Sequence, residues 1–223
     1  MLIEEAKWIG DNIVKLDDAS ELFPMLDVGS GSSRLRKERQ PWVDEYLFSR
    51  IETLGGEVKH LDAKQLPGVD IVGNIQDPRI TSELVDMGFK SVLCCNLLEH
   101  VEDRDAVARA VLEVLPKGGH LIITCPFKCP YHPHPIDTLY RPNLQELKAM
   151  FPKTEILNSA IVSSGPFLAY QVKRLKKYGL PLNGSLCEGT EEAGWDHFLR
   201  SILSCIMWSF QELSATCLVA RKS

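Results

Sequence analysis

Apolar positions along this chain alternate between helical spacing and continuous short runs. Ile3, Ala6, Ile9 and Ile13 recur at helical spacing and predict a leading helix from Ile3 to Val14. Asp17, Asp18 and Ser20 break it, and Leu22-Phe23-Pro24-Met25-Leu26 reads as a buried strand. Val43, Leu47, Ile51 and Leu54 are helical again behind Pro41, and Gly55-Gly56 closes that helix as a C-cap pair. Val58 to Leu61 is a short second strand ending at Asp62. Pro67-Gly68 turns the chain, and Val69 to Ile75 reads as a third strand. A small helix from Ser82 to Met87 stops at Gly88, and Lys90 to Cys95 is a fourth strand, apolar almost throughout as a parallel core strand is.

The second half continues the alternation. Val107, Ala110, Val111, Val114 and Leu115 form one stripe of a helix from Asp103 to Leu115, stopped by Pro116-Lys117-Gly118-Gly119. His120 to Cys125 is the fifth strand, followed by a proline- and histidine-rich loop from Pro126 to Pro142 and a helix from Asn143 to Phe151. Ile156 to Val162 reads as a sixth strand and Ala215 to Ala220 as the last. Residues 165–210 between them are mostly helical in pattern, with a break from Leu182 to Gly189. The sum is a single doubly wound, Rossmann-like α/β domain over 1–223: a seven-stranded, mainly parallel sheet with helices on both faces. Residues 165–210 form a helical insertion or lid before the last strand.

Composition narrows the class. An apolar fraction of 44% and a charged fraction of 25% over 223 residues are those of a globular protein with a sizeable core. A net charge of −5 argues against a general nucleic-acid partner, which needs a basic face. The local cluster Lys173-Arg174 with Lys176-Lys177 reads as a solvated helix face or as a phosphate or lipid site. No apolar run reaches the roughly 18 residues of a membrane span. Met1 to Lys7 carries Glu4 and Glu5 and lacks the order of a signal peptide. Seven cysteines, several inside strand-like runs (Cys94, Cys95, Cys125), fit buried thiols in a reducing, cytoplasmic setting better than a disulfide framework.

The chemistry concentrates at Met25-Leu26-Asp27-Val28-Gly29-Ser30-Gly31-Ser32-Ser33. Two glycines one residue apart after a buried strand mark a turn where a ligand can approach the main chain, at the edge where open α/β sheets bind nucleotides. Arg34 stands where the dinucleotide fingerprint needs its third glycine, and no Gly-Lys-Ser/Thr follows. The acid in front, Asp27, repels a diphosphate and attracts a cation, which points to a nucleoside cofactor carrying a charged amino-acid group.

At this point the chain resembles the class I S-adenosylmethionine-dependent methyltransferases, over most of its length. Met25-Leu26-Asp27-Val28-Gly29-Ser30-Gly31 matches the family's first motif, with Ser33 where many members have a further glycine. Asp62 fits the acid that holds the ribose hydroxyls. Gly73-Asn74-Ile75 matches the adenine-binding position with Asn74 in place of an acid, and Asp77 is an alternative acceptor. Cys94-Cys95-Asn96-Leu97-Leu98-Glu99-His100-Val101 is similar to the "Leu-Glu-His-Val" signature of the methyltransferase type 11 branch, whose next motif corresponds to Pro116-Lys117-Gly118-Gly119. The resemblance implies S-adenosylmethionine as cofactor, S-adenosylhomocysteine as product, and Asp27, Gly29, Ser30, Gly31, Asp62, Asn74, Ile75, Asn96 and Leu97 as cofactor contacts. Glu99 and His100 read equally well as the first turn of a helix.

The acceptor side is drawn from the Pro126 to Pro142 loop, which leaves the fifth strand at the cofactor edge. In relatives of this branch a similar stretch lies over the active site. His132, His100 and His134 are the candidate bases, and Tyr131, Asp137, Tyr140 and Arg141 the candidate acceptor contacts. Cys125, Cys129, His132 and His134 lack a common zinc spacing, so no metal is expected there. The aromatic residues of 165–210, among them Phe167, Tyr170, Tyr178, Trp195, Phe198 and Trp208, read as core, as a homodimer contact or as a lid over an apolar acceptor. The expected function is methyl transfer to a small or medium-sized acceptor by in-line displacement. A cofactor-binding protein without turnover and, behind it, a nicotinamide-dependent oxidoreductase are the alternatives.

Overall fold

The computed structural model describes residues 1–16, 19–132, 136–180 and 208–223. Asp17, Asp18, His134 and the part of the expected insertion from 181 to 207, with its Trp195 and Phe198, lie outside these residues. The leading helix α1 covers Ile3–Lys15, and β1 covers Met25–Val28, every residue of it buried. The helical stretch behind the glycine loop is α2 (Pro41–Val43) and α3 (Ser49–Thr53), joined by a π-helical segment over Asp44–Phe48. Strand β2 covers Val58–Asp62, β3 only Ile71–Val72, and helix α4 Pro78–Asp86. Then follow β4 (Ser91–Cys95), α5 (Arg104–Val114), β5 (His120–Lys128) and α6 (Leu144–Ala149). The chain closes with β6 (Thr154–Pro166), α7 (Phe167–Tyr178) and β7 (Glu212–Lys222).

The strands form one seven-stranded sheet in the order β3-β2-β1-β4-β5-β7-β6. Strands β1 to β5 pair in parallel, whereas β7 is antiparallel to both of its neighbours. Alternate residues of the strands feed two cores. On one face Leu26, Val92, Ile123 and Leu218 pack with Leu84, Val111 and Leu147 from α4, α5 and α6. On the other Met25, Leu93, Ile122 and Val219 pack with Ile9, Trp42, Ile51 and Tyr170, which belong to α1, α2, α3 and α7. Both sheet faces are thus covered, as a parallel sheet requires.

Several boundaries differ from the expected ones. The third strand shrinks to two residues because it pairs with β2 only at Leu61 and Asp62. Helix α4 begins four residues earlier than Ser82, since Asp77 caps it through Arg79 N and Pro78 takes the first turn, where its missing N–H costs nothing. Strand β5 continues past Cys125 to Lys128, so the first residues of the expected loop, Pro126 and Phe127, are strand, with a bulge between Pro126 and Lys128.

Candidate active site

Parallel strands put the carboxyl ends of β1, β2 and β4 on one edge, and there the chain encloses a cavity of about 620 Å³. Asp27, Gly29, Ser30, Gly31, Asp62, Asn74, Ile75, Asn96 and Leu97 all line it, as do His100 and His132. The glycine loop is held by its neighbours. Gly29 N and Ser30 N both donate to Leu61 O, at 2.9 and 3.1 Å, and Gly31 N donates to Asp62 Oδ2 at 2.9 Å. Gly29 and Gly31 have φ of +73° and +62°, the left-handed region that side chains avoid. A Cβ on Gly29 would also stand 2.9 Å from Leu97 Cδ1.

The acids are already partly engaged. Asp27 is almost fully buried, and its Oδ2 meets His60 Nδ1 at 2.8 Å. Asp62 Oδ1 accepts Lys64 N at 2.9 Å, so both of its oxygens bind main-chain N–H groups and point one lone pair each elsewhere. Asn74 Oδ1 accepts Gln76 N at 3.0 Å. Asp77 does not line the cavity; its carboxylate is spent on Arg79 and the start of α4.

Three side chains outside the sequence motifs shape this region. Glu5, buried in α1, accepts from Leu2 N and Asn96 Nδ2, each at 2.8 Å, and from Thr124 Oγ1. It thereby fixes Asn96, whose backbone sits at φ +51° at the end of β4. Arg36 is buried and spans the glycine loop: Nη1 donates to Ser30 O and Gly31 O at 3.0 and 2.7 Å, and Nη2 to Gly68 O at 2.7 Å. His60 is the third, through Asp27. Each carried a faint signal: an acid on the apolar side of a helix, an arginine just after a glycine loop, a histidine inside a strand.

The acceptor candidates divide. His100 and His132 stand edge to face with ring centroids 5.2 Å apart, and burial lowers the pKa of both. Tyr131, Asp137, Tyr140 and Arg141 do not line the cavity. Tyr131 is exposed, and the Tyr140 hydroxyl donates to Met150 Sδ at 2.9 Å while Arg104 covers its ring. Asp137 and Arg141 form a two-bond ion pair at 3.0 and 2.6 Å. Asp137 also accepts His132 N and Leu139 N, at 3.1 and 2.9 Å, so this pair braces the loop. Burial alone would raise the Asp137 carboxyl, but the Arg141 and main-chain hydrogen bonds outweigh it and hold the carboxyl below its ordinary value. Thr138 ties the same loop to Glu99 O through N and Oγ1, at 2.9 and 3.0 Å. Cys125 lies fully buried in the core and cannot join a metal cluster with Cys129.

A sheet ordered 3-2-1-4-5-7-6 with its seventh strand reversed, and a cavity beyond the ends of strands 1, 2 and 4, defines a Rossmann-like, doubly wound α/β class. More narrowly, the fold is that of the class I S-adenosylmethionine-dependent methyltransferases. Similar solved structures include a protein described as a sarcosine dimethylglycine methyltransferase from Galdieria sulphuraria, at 12% identity and a TM-score of 0.58, covering 98% of this chain and 85% of that one. The MccD protein matches at 12% identity and a TM-score of 0.56, with 97% of each chain covered. Coclaurine N-methyltransferase bound to N-methylheliamine and S-adenosylhomocysteine matches at 16% identity and 0.53, covering 89% of this chain and 67% of that one. No family model and no curated protein matches the sequence. Among the described residues no helix is long and apolar enough to cross a membrane.

Proposed function

We propose that the protein is an S-adenosylmethionine-dependent methyltransferase of a type 11-like branch acting on a small or medium-sized acceptor. The observation that carries this is the convergence of the nine cofactor positions read from the sequence on one cavity at the carboxyl edge of the sheet. The donor set suits the cofactor. Gly29 and Gly31 leave the main chain bare beside Leu97 and Leu35, where side chains would otherwise fill the cradle. Asp27 would place negative charge beside the loop for the ammonium group, Asp62 has lone pairs left for ribose hydroxyls, and Asn74 and Ile75, also on the cavity wall, would border the adenine. The bound cofactor supplies an activated methyl group that moves to an acceptor nucleophile as its bond to sulfur breaks.

His100 and His132 line the same cavity, and burial favours their neutral form, so a bare ring nitrogen of either would be available to an acceptor as a base where no ion occupies it. Among the described residues Cys94, Cys95, Cys125 and Cys217 are buried or half-buried and form no disulfide, which supports a cytoplasmic setting. The expected insertion over residues 165–210 would act as a lid or as the contact of a homodimer. Titration calorimetry with S-adenosylmethionine, S-adenosylhomocysteine and NAD tests the reading: binding of the first two is expected, and tight binding of NAD alone would overturn it. Asp27→Ala should weaken the first by about 10- to 150-fold, the equivalent of one charged hydrogen bond of roughly 1.5–3 kcal/mol. Binding without methyl transfer to any acceptor in a broad screen would favour a non-catalytic cofactor-binding protein.

A further inference from the structure

Glu99 is the least comfortable side chain of the cavity. It is fully buried, it lines the cavity, and neither carboxylate oxygen has a hydrogen-bond partner among the described residues. Burial pushes its carboxyl up to about 8, and the negative charge of Glu5 adds to the effect. A buried acid without a donor or a cation costs free energy that folding has to offset. Its two neighbours in the cavity are His100 and His132, and one ligand-capable atom from each of the three residues lies within 4.8 Å of those of the other two.

The histidines are held in the state that a metal ion needs. His100 Nδ1 meets Ile136 O, a hydrogen bond in which the ring must donate. That leaves the Nε2 lone pair free, 3.7 Å from Glu99 Oε1. His132 Nδ1 lies 3.1 Å from Pro130 O and 3.2 Å from the Asp137 carboxylate, so it too donates there and leaves Nε2 bare. Metal-binding histidines characteristically spend one ring N–H on a carbonyl or carboxylate, which fixes the tautomer and the ring plane. Asp137 is itself pinned by Arg141, so this bracing extends to a second layer. The 3.7 Å separation is close to the roughly 3.3 Å between ligand atoms around a tetrahedral ion with bonds of about 2 Å.

We infer that Glu99, His100 and His132 form a binding site for one divalent first-row metal ion, of the zinc or manganese kind, at the acceptor end of the cavity. Two imidazoles and one carboxylate favour such an ion over calcium or magnesium, which prefer all-oxygen sets. Three protein ligands leave at least one coordination position open towards the cavity. On the methyltransferase reading, that position would select an acceptor with an oxygen donor, whose hydroxyl loses its proton more readily once coordinated. The sequence hides the cluster because Glu99-His100 and His132 are separated by a helix and a strand.

The test is equilibrium dialysis and calorimetry of the EDTA-treated full chain with Zn²⁺, Mn²⁺ and, for comparison, Mg²⁺, followed by X-ray absorption of the loaded protein. One equivalent of Zn²⁺ or Mn²⁺ with a nitrogen and oxygen shell and no sulfur is expected, with Mg²⁺ much weaker. Glu99→Gln, His100→Gln and His132→Gln should each weaken binding at least 100-fold while circular dichroism stays unchanged. Should Glu99→Gln fail to fold, the two histidine variants decide. Unaltered affinity in folded variants, sulfur in the shell or no binding below millimolar metal would overturn the site. Titration of S-adenosylmethionine into the metal-free protein is scored separately, so a failed metal site and a failed methyltransferase reading give different results.

Discussion

Glu5 occupies the buried side of α1, where helical spacing alone would place an apolar residue. Its carboxylate is the acceptor for Leu2 N, Asn96 Nδ2 and Thr124 Oγ1, which joins α1 to the end of β4 and the middle of β5. Glu5→Ala would leave these three donors without an acceptor in a dry place, at a cost of about 3 kcal/mol or more, with Glu5→Gln intermediate because it keeps one acceptor oxygen. Urea unfolding of the three proteins measures this, and cofactor affinity should fall in parallel because Asn96 borders the cavity. The cavity-lining residues that the sequence marks are those carried by local grammar: Asp27 before Gly29 and Gly31, Asp62 at a strand end, Asn96 and Leu97 before a turn. Glu5, Arg36 and His60 act across the fold, over sequence separations that spacing rules do not reach. Tyr140 and Arg141 lie off the cavity lining, since polar residues in a loop brace its backbone as readily as they face a ligand.

Among the elements, α1 approaches the π-helical segment Asp44–Phe48 closely at Gly10. A Cβ on Gly10 would stand 2.0 Å from Tyr46 O, a backbone atom that cannot rotate away. Gly10→Ala should therefore destabilise the fold by about 3 kcal/mol in spite of alanine's better helix propensity, read as a lower melting temperature. At the start of β5, His120 is buried with Nδ1 unpartnered among the described residues, and burial, followed by the charge of Arg221, lowers its pKa. Its neutral form is thus favoured by folding. The stability it contributes is complete above the ordinary histidine pKa of about 6.5 and is lost as pH falls through the lower folded value. His120→Gln should flatten the fall in unfolding free energy between pH 7 and 5 relative to the parent protein. The elements themselves were largely foreseen, and the misses have local causes. The start of α4 hides in Asp77-Pro78, which reads as a turn until the cap is seen. The third strand was overdrawn because apolar residues beyond its two paired positions serve the cavity and the helix that follows.

For the whole molecule, a bound cofactor should stabilise the native state by mass action, by about 2.7 kcal/mol at a hundredfold excess over its dissociation constant. For a chain of this size that is a rise of roughly 5–10 °C in melting temperature, measurable by scanning calorimetry, and absence of any rise would contradict occupation of the cavity. The doubly wound architecture was readable because strand and helix periods alternate at regular lengths. The reversal of β7 was not. Its unbroken apolar run reports burial on both faces and says nothing of direction, which is set by the path of the chain into the strand. That reversed strand has a consequence for how the molecule is made. The outermost strand, β6, finds its neighbour in the sheet only in β7, and β5 meets its second neighbour there too. While the chain is growing on a ribosome, two long strand borders therefore stay bare until residues 212–222 emerge from the exit tunnel. Synthesis of β7 is the moment at which the facing borders of β5 and β6 are paired and stop being templates for the wrong partner.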